Sequence, residues 1–163
     1  MVNVVLWFVQ IFLALLFLGA GIPKITGRGL EQWTGFSSVP RPLVLSIGVA
    51  ELLGSAGLVL PMATNVLPWL TPLAAIGLAT NVLMATGFHV RGGERLNALE
   101  TTLWATVAAV VAIGRWPLVD QANLAIAPAA LVVALAVLLP TAIIIVVILL
   151  RRSAVTAAAP ERR

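Results

Sequence analysis

Long apolar segments separated by short polar gaps constrain the fold of this chain more than any other feature. A membrane-spanning helix needs about 20 mostly apolar residues. The sequence offers five such segments, at residues 2–22, 43–60, 69–88, 98–113 and 126–150. Proline, glycine and charged residues are concentrated in the gaps between them. We therefore predict an all-α, polytopic membrane helix bundle: a four-helix core, residues 1–116, a fifth C-terminal transmembrane helix with its connection, residues 117–152, and a disordered tail, residues 153–163.

The composition fits a lipid-facing exterior. Of 163 residues, 61% are hydrophobic and only 10% are charged, and the mean hydropathy is +1.08; soluble domains carry about 25% charged residues. The net charge of +4 does not indicate nucleic-acid binding, because the basic residues lie in the gaps and form no basic face. The chain has no cysteine and one histidine, which excludes a thiol relay and a multi-histidine metal cluster within one protomer, so we predict no metal site.

The distribution of basic residues predicts the orientation, because lysine and arginine accumulate in cytoplasmic loops. With five spans, only Arg115 lies on one side, and the other side holds Lys24, Arg28, Arg41, Arg91, Arg95, Arg151, Arg152, Arg162 and Arg163. We expect an integral protein of a bacterial plasma membrane with its N-terminus outside and its C-terminus in the cytoplasm. A cleaved signal peptide at residues 2–22 is the alternative, but no basic residue precedes that segment.

Glu51 is the polar residue that most needs an explanation. Counted from Pro42, it lies about 13 Å deep at 1.5 Å per residue, and its side chain is too short to reach the interface. Gly48 and Ser55 share its helical face, which predicts that the carboxyl points into the bundle. Asn81 lies at a similar depth, about 10 Å, and an amide-to-carboxyl hydrogen bond is expected. Lys24 lies nearer the interface, with a stem that can bend inward to Glu51 or outward to lipid phosphate.

Helical periodicity predicts which faces of two further spans point inward. On the first span the predicted face contains Gln10, Ala14, Phe17, Gly21 and Lys24. On the third span it contains Ala74, Gly77, Asn81, Met84 and Phe88.

Two interpretations of the buried polar residues stay open. In the first, Glu51 and Asn81 form interhelical hydrogen bonds that only fix the helix register. In the second, Lys24, Glu51, Asn81 and His89 line a pocket for a quinone or a lipid head group, because intramembrane ionisable groups are candidates for function. His89 begins a predicted loop, residues 89–95, where it either exchanges protons, contacts an anionic head group, or is an ordinary interfacial residue.

Four short segments together resemble the DoxX and DoxX-like family of small membrane proteins. They are residues 17–24 (FLGAGIPK), 47–54 (IGVAELLG) with Gly57, 72–77 (PLAAIG), and 84–89 (MATGFH) followed by Gly93 and Glu94, so that the resemblance extends over residues 4–116. It implies a four-helix membrane bundle with family-like polar residues at Lys24, Glu51, His89 and Glu94. Some family members are subunits of thiosulfate:quinone oxidoreductase or of other membrane redox complexes. The predicted fifth span departs from this pattern.

Three functions are therefore weighed. The first is a membrane subunit of a redox system with a quinone- or lipid-binding pocket around Glu51, formed by Lys24, Glu51, Asn81, His89 and Glu94. The second is a non-catalytic scaffold or accessory subunit of a larger complex or homo-oligomer. The third, transport of a small solute, has weaker support because the sequence shows no clear inverted repeat. The sequence leaves enzymatic activity undecided, since the chain has no thiol or metal redox centre of its own.

Overall fold

The computed structural model describes residues 1–29 and 39–122, and every regular element in these ranges is helical. Four helices are long and apolar enough to cross a membrane. They are α1 (Val2–Thr26), α2 (Arg41–Thr64), α3 (Leu70–Arg91) and α4 (Arg95–Arg115), and a short helix, α5 (Pro117–Gln121), follows α4. The prediction of an all-helical four-span core is confirmed. The predicted fifth span, residues 126–150, and the predicted tail lie outside the described residues.

Two helices extend through prolines that were expected to lie outside them. The second predicted segment, residues 43–60, ends just before Pro61, and this end was wrong, because α2 continues through Pro61 to Thr64. A proline inside a helix costs one backbone hydrogen bond, here to the carbonyl of Gly57, and a surrounding bundle can compensate for this loss. Gln10 of α1 donates to the neighbouring carbonyl of Leu58 at 2.7 Å. Likewise, α1 passes through Pro23.

The loop predicted at residues 89–95 is also shorter than expected. Helix α3 continues through His89 to Arg91, and α4 begins at Arg95. The turn between them contains Gly93, whose φ of 73° is in the left-handed region that glycine adopts readily. His89 therefore lies on the last turn of a helix rather than in a loop.

Consecutive helices pack against each other, and α1 also contacts α4, so that the four spans form a closed bundle. Arg41 at the start of α2 contacts the end of α1, and Thr86 late in α3 contacts Thr101 early in α4, so consecutive helices run in opposite directions and the bundle has two distinct ends. We call the "Lys24 end" the one that holds the last turns of α1 and α3 and the first turns of α2 and α4. We call the "Arg115 end" the opposite one. Large apolar side chains such as Phe8, Phe12 and Leu53 are exposed along the helices, as lipid contact requires.

The buried faces of α1 and α2 match the prediction, whereas that of α3 matches it only in part. Gly48, Glu51 and Ser55 are buried on α2. On α3 the predicted face is only partly right. Ala74, Asn81 and Met84 are half-buried, whereas Gly77 and Phe88 are exposed. The fully buried residues of α3 are Thr71, Pro72, Ala75, Leu78 and Val82. Because lipid is as apolar as the bundle interior, the periodicity of α3 gives no contrast between its two sides.

Candidate functional site

A buried ion pair joins α1 to α2 close to the Lys24 end. The Nζ atom of Lys24 lies 3.0 Å and 2.8 Å from the two carboxylate oxygens of Glu51, and it also donates to the carbonyl of Ala20 at 3.0 Å. Only 3% of Lys24 and 6% of Glu51 is exposed. Of the two directions that the sequence allowed for Lys24, the structure therefore shows the inward one.

Two glycines allow this pair to form, because they bring the backbones of α1 and α2 together. Gly21 and Gly48 face each other, and a Cβ atom on Gly48 would lie 2.9 Å from the Cβ of Lys24 and 3.1 Å from the carbonyl oxygen of Gly21. Helical side chains lean toward the helix N-terminus. Lys24 therefore extends back along α1, into the bundle, and reaches Glu51.

The end of α1 is fixed by residues that follow and face it. Gly27 has a φ of 75° and donates its backbone N–H to the carbonyl of Pro23. Arg41, at the start of α2, donates to the carbonyls of Lys24 and Ile25 at 2.6 Å and 2.7 Å. Carbonyls in the last turn of a helix lack intrahelical partners, so Arg41 both satisfies two of them and holds the backbone of Lys24 in place.

The expected hydrogen bond between Asn81 and Glu51 is not formed. Gly54 of α2 contacts Leu78 of α3, which fixes the register of the two helices. Glu51 and Asn81 each lie about one turn from this contact, toward the Lys24 end, so the two residues are at about the same depth. Asn81 thus lies at the predicted depth, but no hydrogen bond joins it to Glu51. Asn81 is half-buried, and among the described residues its amide has no hydrogen-bond partner.

A second pair, His89 and Glu94, lies at the surface of the Lys24 end. The Nδ1 atom of His89 is 2.6 Å from a carboxylate oxygen of Glu94, which also accepts from the amide of Asn97 at 3.0 Å. The hydrogen bond from Asn97, followed by that from His89, holds the pKa of Glu94 below its usual value. The five predicted site residues therefore form two pairs and one separate amide, and within the described ranges no hydrogen bond connects these groups.

The range over which a known family matches the chain contains all of these residues. The sequence profile of the DoxX-like family matches residues 8–114, which is about two thirds of the chain and includes most of all four spans. The chain belongs to the DoxX-like family. No curated protein and no solved structure gave a match. Family membership and the four apolar helices together establish an integral membrane protein.

In this DoxX-like protein a further buried polar cluster lies at the Arg115 end, and the sequence analysis missed it. Arg115 donates from Nε to the side-chain oxygen of Gln10 at 2.6 Å and from one terminal nitrogen to the side-chain oxygen of Asn3 at 2.5 Å. Its guanidinium also lies 5.7 Å from the ring centre of Trp7. From the sequence alone, Arg115 is a charge in the connection after the fourth span. The available signal was that Asn3 and Gln10 interrupt the first span at helical spacing.

Proposed function

We propose that this DoxX-like protein is a membrane subunit of a redox system in which the Lys24–Glu51 pair binds the head group of a quinone. The observation that carries the proposal is the pair itself, an ammonium and a carboxylate enclosed within an apolar bundle. Ionisable groups in the hydrocarbon region are costly and are retained mainly where they bind or move something. A lipid head group with a carbonyl is the related alternative ligand of the same site.

The donor and acceptor set fits a quinone head. Lys24 donates hydrogen bonds and Glu51 accepts them, which matches the carbonyls of a quinone and the hydroxyls of its reduced form. A bound quinone supplies the chemistry, because it carries two electrons and two protons between protein partners. The half-buried amide of Asn81, at the depth of Glu51, is available to a ligand as a further donor.

Access to the site requires a movement that the lysine side chain can make. The ion pair is closed, so Lys24 has to turn away from Glu51 toward the Lys24 end while its backbone stays held by Arg41. Lysine is suited to this because its stem has four rotatable bonds and its ammonium donates in any direction. In this proposal His89 and Glu94, at the surface of the same end, exchange protons with water or contact the ligand's outer part.

Electrons must come from a partner, since the sequence has no cysteine and one histidine. We propose that the Lys24 end faces the cytoplasm of a bacterial cell and that its exposed basic residues, such as Arg91 and Arg95, contact a soluble oxidoreductase or another subunit of a redox complex. The protein then contributes a ligand site and proton exchange rather than a redox centre.

A non-catalytic scaffold is the second candidate, and one observation favours it. The Lys24–Glu51 pair is packed shut between helices that approach each other through Gly21 and Gly48. In this alternative the pair fixes α1 against α2 and binds no ligand. Under this alternative the lipid-exposed helix faces bind other subunits or a second copy of the chain.

Ligand-dependent stability distinguishes the two candidates. Thermal unfolding of the purified full-length protein in lipid nanodiscs is measured with and without a short-chain quinone. The quinone is expected to raise the midpoint for the wild type and for the control Glu100→Gln, whose carboxyl is exposed on α4. It should not raise the midpoint for Glu51→Gln. A wild-type midpoint that quinone leaves unchanged contradicts the quinone site and favours the scaffold.

A further inference from the structure

The Arg115 end contains a buried positive charge that has no carboxylate partner among residues 1–29 and 39–122. Arg115 is 7% exposed, and its described contacts, Asn3, Gln10 and Trp7, are all neutral. The two ion pairs in the described ranges involve other residues. Asp120 is the acidic residue that follows Arg115 most closely in the sequence, and it is exposed on α5. A buried guanidinium whose described partners are all neutral carries a desolvation cost that an anion bound from outside can offset.

The guanidinium of Arg115 also has N–H donors that no described residue accepts. It carries five N–H groups, and three of them donate to Gln10 and Asn3. Within the part of the chain that the structure describes, the other two have no acceptor. Gln10 is itself fixed, because its amide nitrogen donates to the carbonyl of Leu58. The orientation of Arg115 is therefore held by contacts from α1, which are in turn anchored on α2.

Thr71 provides a second, independent observation at the same end. Its side chain is fully buried, and its hydroxyl has no hydrogen-bond partner among the described residues. The contact of Gly57 with Ala74 sets the register of α2 and α3, and one turn further toward the Arg115 end it brings Thr71 to the level of Pro61. That is the stretch of α2 that Gln10 contacts. The guanidinium of Arg115 and the hydroxyl of Thr71, which both have unused donors, therefore lie at a similar depth in the bundle.

We propose that the Arg115 end binds a phosphate group, with Arg115 as its principal ligand and Thr71 available as a further donor. Guanidinium is the side-chain group that best matches the charge and geometry of phosphate. Trp7 lies beside Arg115 in the structure and Trp116 follows it in the sequence, and tryptophans favour the depth of lipid head groups. The phosphate therefore belongs to a membrane phospholipid or to a free anion at the same interface. This site is separate from the Lys24–Glu51 pair and stands without the proposed function.

Native mass spectrometry of the full-length protein tests the proposal. The protein is incubated with phosphatidylglycerol or with diacylglycerol of the same acyl chains, and the bound fraction is measured. We expect retention of phosphatidylglycerol alone, and at least a tenfold loss of affinity in Arg115→Gln, since a charge-assisted hydrogen bond contributes about 1.5–3 kcal/mol. The control Arg28→Gln removes an equal charge from an exposed position at the other end and should change binding less than twofold. Equal binding by Arg115→Gln and the wild type overturns the proposal.

A second variant keeps the proposal testable if Arg115→Gln does not fold. Asn3→Asp places a carboxylate where Arg115 already donates, so an internal anion competes with phosphate, and affinity should again fall about tenfold. Unchanged phosphatidylglycerol binding in this variant overturns the proposal. Inorganic phosphate identifies the source. If millimolar phosphate displaces the lipid, a free anion uses the same site; if it does not, the ligand is the lipid phosphate. Both results support a phosphate site.

Discussion

The two ends of the bundle bury a cation in different ways. At the Lys24 end the ammonium meets a carboxylate, so the pair is neutral and can lie deep between α1 and α2. At the Arg115 end the guanidinium contacts two amide side chains and an aromatic ring, and no described residue compensates its charge near the end of α4. The difference shows that a cation paired with a carboxylate can be buried deep in the bundle. A cation held only by neutral groups has to lie near the membrane interface or bind an anion from outside.

The largest effect is expected from separating the pair. Glu51→Leu leaves the ammonium of Lys24 without its carboxylate, and loss of one partner from a buried pair costs about 3–5 kcal/mol. The free energy of unfolding, measured by denaturant titration in detergent micelles, should fall by that amount. In the double variant Lys24→Met with Glu51→Leu, most of the loss should be recovered because no charge remains. A single variant as stable as the wild type would show that the pair does not form.

A smaller loss is expected from pushing α1 and α2 apart. Gly48→Ala adds a Cβ atom 2.9 Å from the Cβ of Lys24, and overpacking of this kind costs about 1–3 kcal/mol. Gly77→Ala is the matched control, since a Cβ there meets nothing within 4 Å and alanine favours the helix by up to about 1 kcal/mol. The same unfolding titration separates them. Equal stability of the two variants would contradict the close contact between the helices.

Removing the cation at the other end should cost less than breaking the ion pair. Arg115→Met loses three hydrogen bonds but also removes an uncompensated buried charge, and the two effects partly cancel. We expect a loss of about 1–2 kcal/mol in the unfolding free energy. A loss as large as that of Glu51→Leu would mean that Arg115 is compensated as fully as Lys24.

The smallest effect is expected at the surface pair. Because Asn97 and His89 lower the pKa of Glu94 in the folded protein, this group contributes stability above the ordinary glutamate pKa of about 4.3. That contribution is lost as the pH falls through the lowered folded value. Thermal midpoints of the wild type and Glu94→Gln should therefore differ at neutral pH and converge in acid. A difference that grows in acid would contradict the pairing.

The sequence predicted the first four spans and the burial of Glu51 better than the remaining contacts, and it left the direction of Lys24 open. Exposing a carboxyl to lipid at the depth of Glu51 is energetically costly, and this cost alone predicts that the side chain is buried in the bundle. Asn81 could not be placed, because α3 is apolar on all sides and lipid offers no contrast with the core. Arg115 was misjudged for another reason: it follows an apolar segment, and the sequence does not show that its side chain turns inward to Gln10. The sequence also does not show that α2 continues through Pro61, because the contact from Gln10 of α1 to this part of α2 becomes visible only in the structure.

The most direct test uses the fact that Lys24 is the chain's single lysine. Protein labelled with ¹⁵N at the lysine side chain and ¹³C at the glutamate carboxyl gives one ammonium signal by solid-state NMR in lipid bilayers. We predict dipolar coupling between that ammonium and a carboxylate carbon, lost in Glu51→Gln and retained in Glu100→Gln. A mobile ammonium that exchanges with water and shows no coupling in the wild type would contradict the buried pair and the proposals that depend on it.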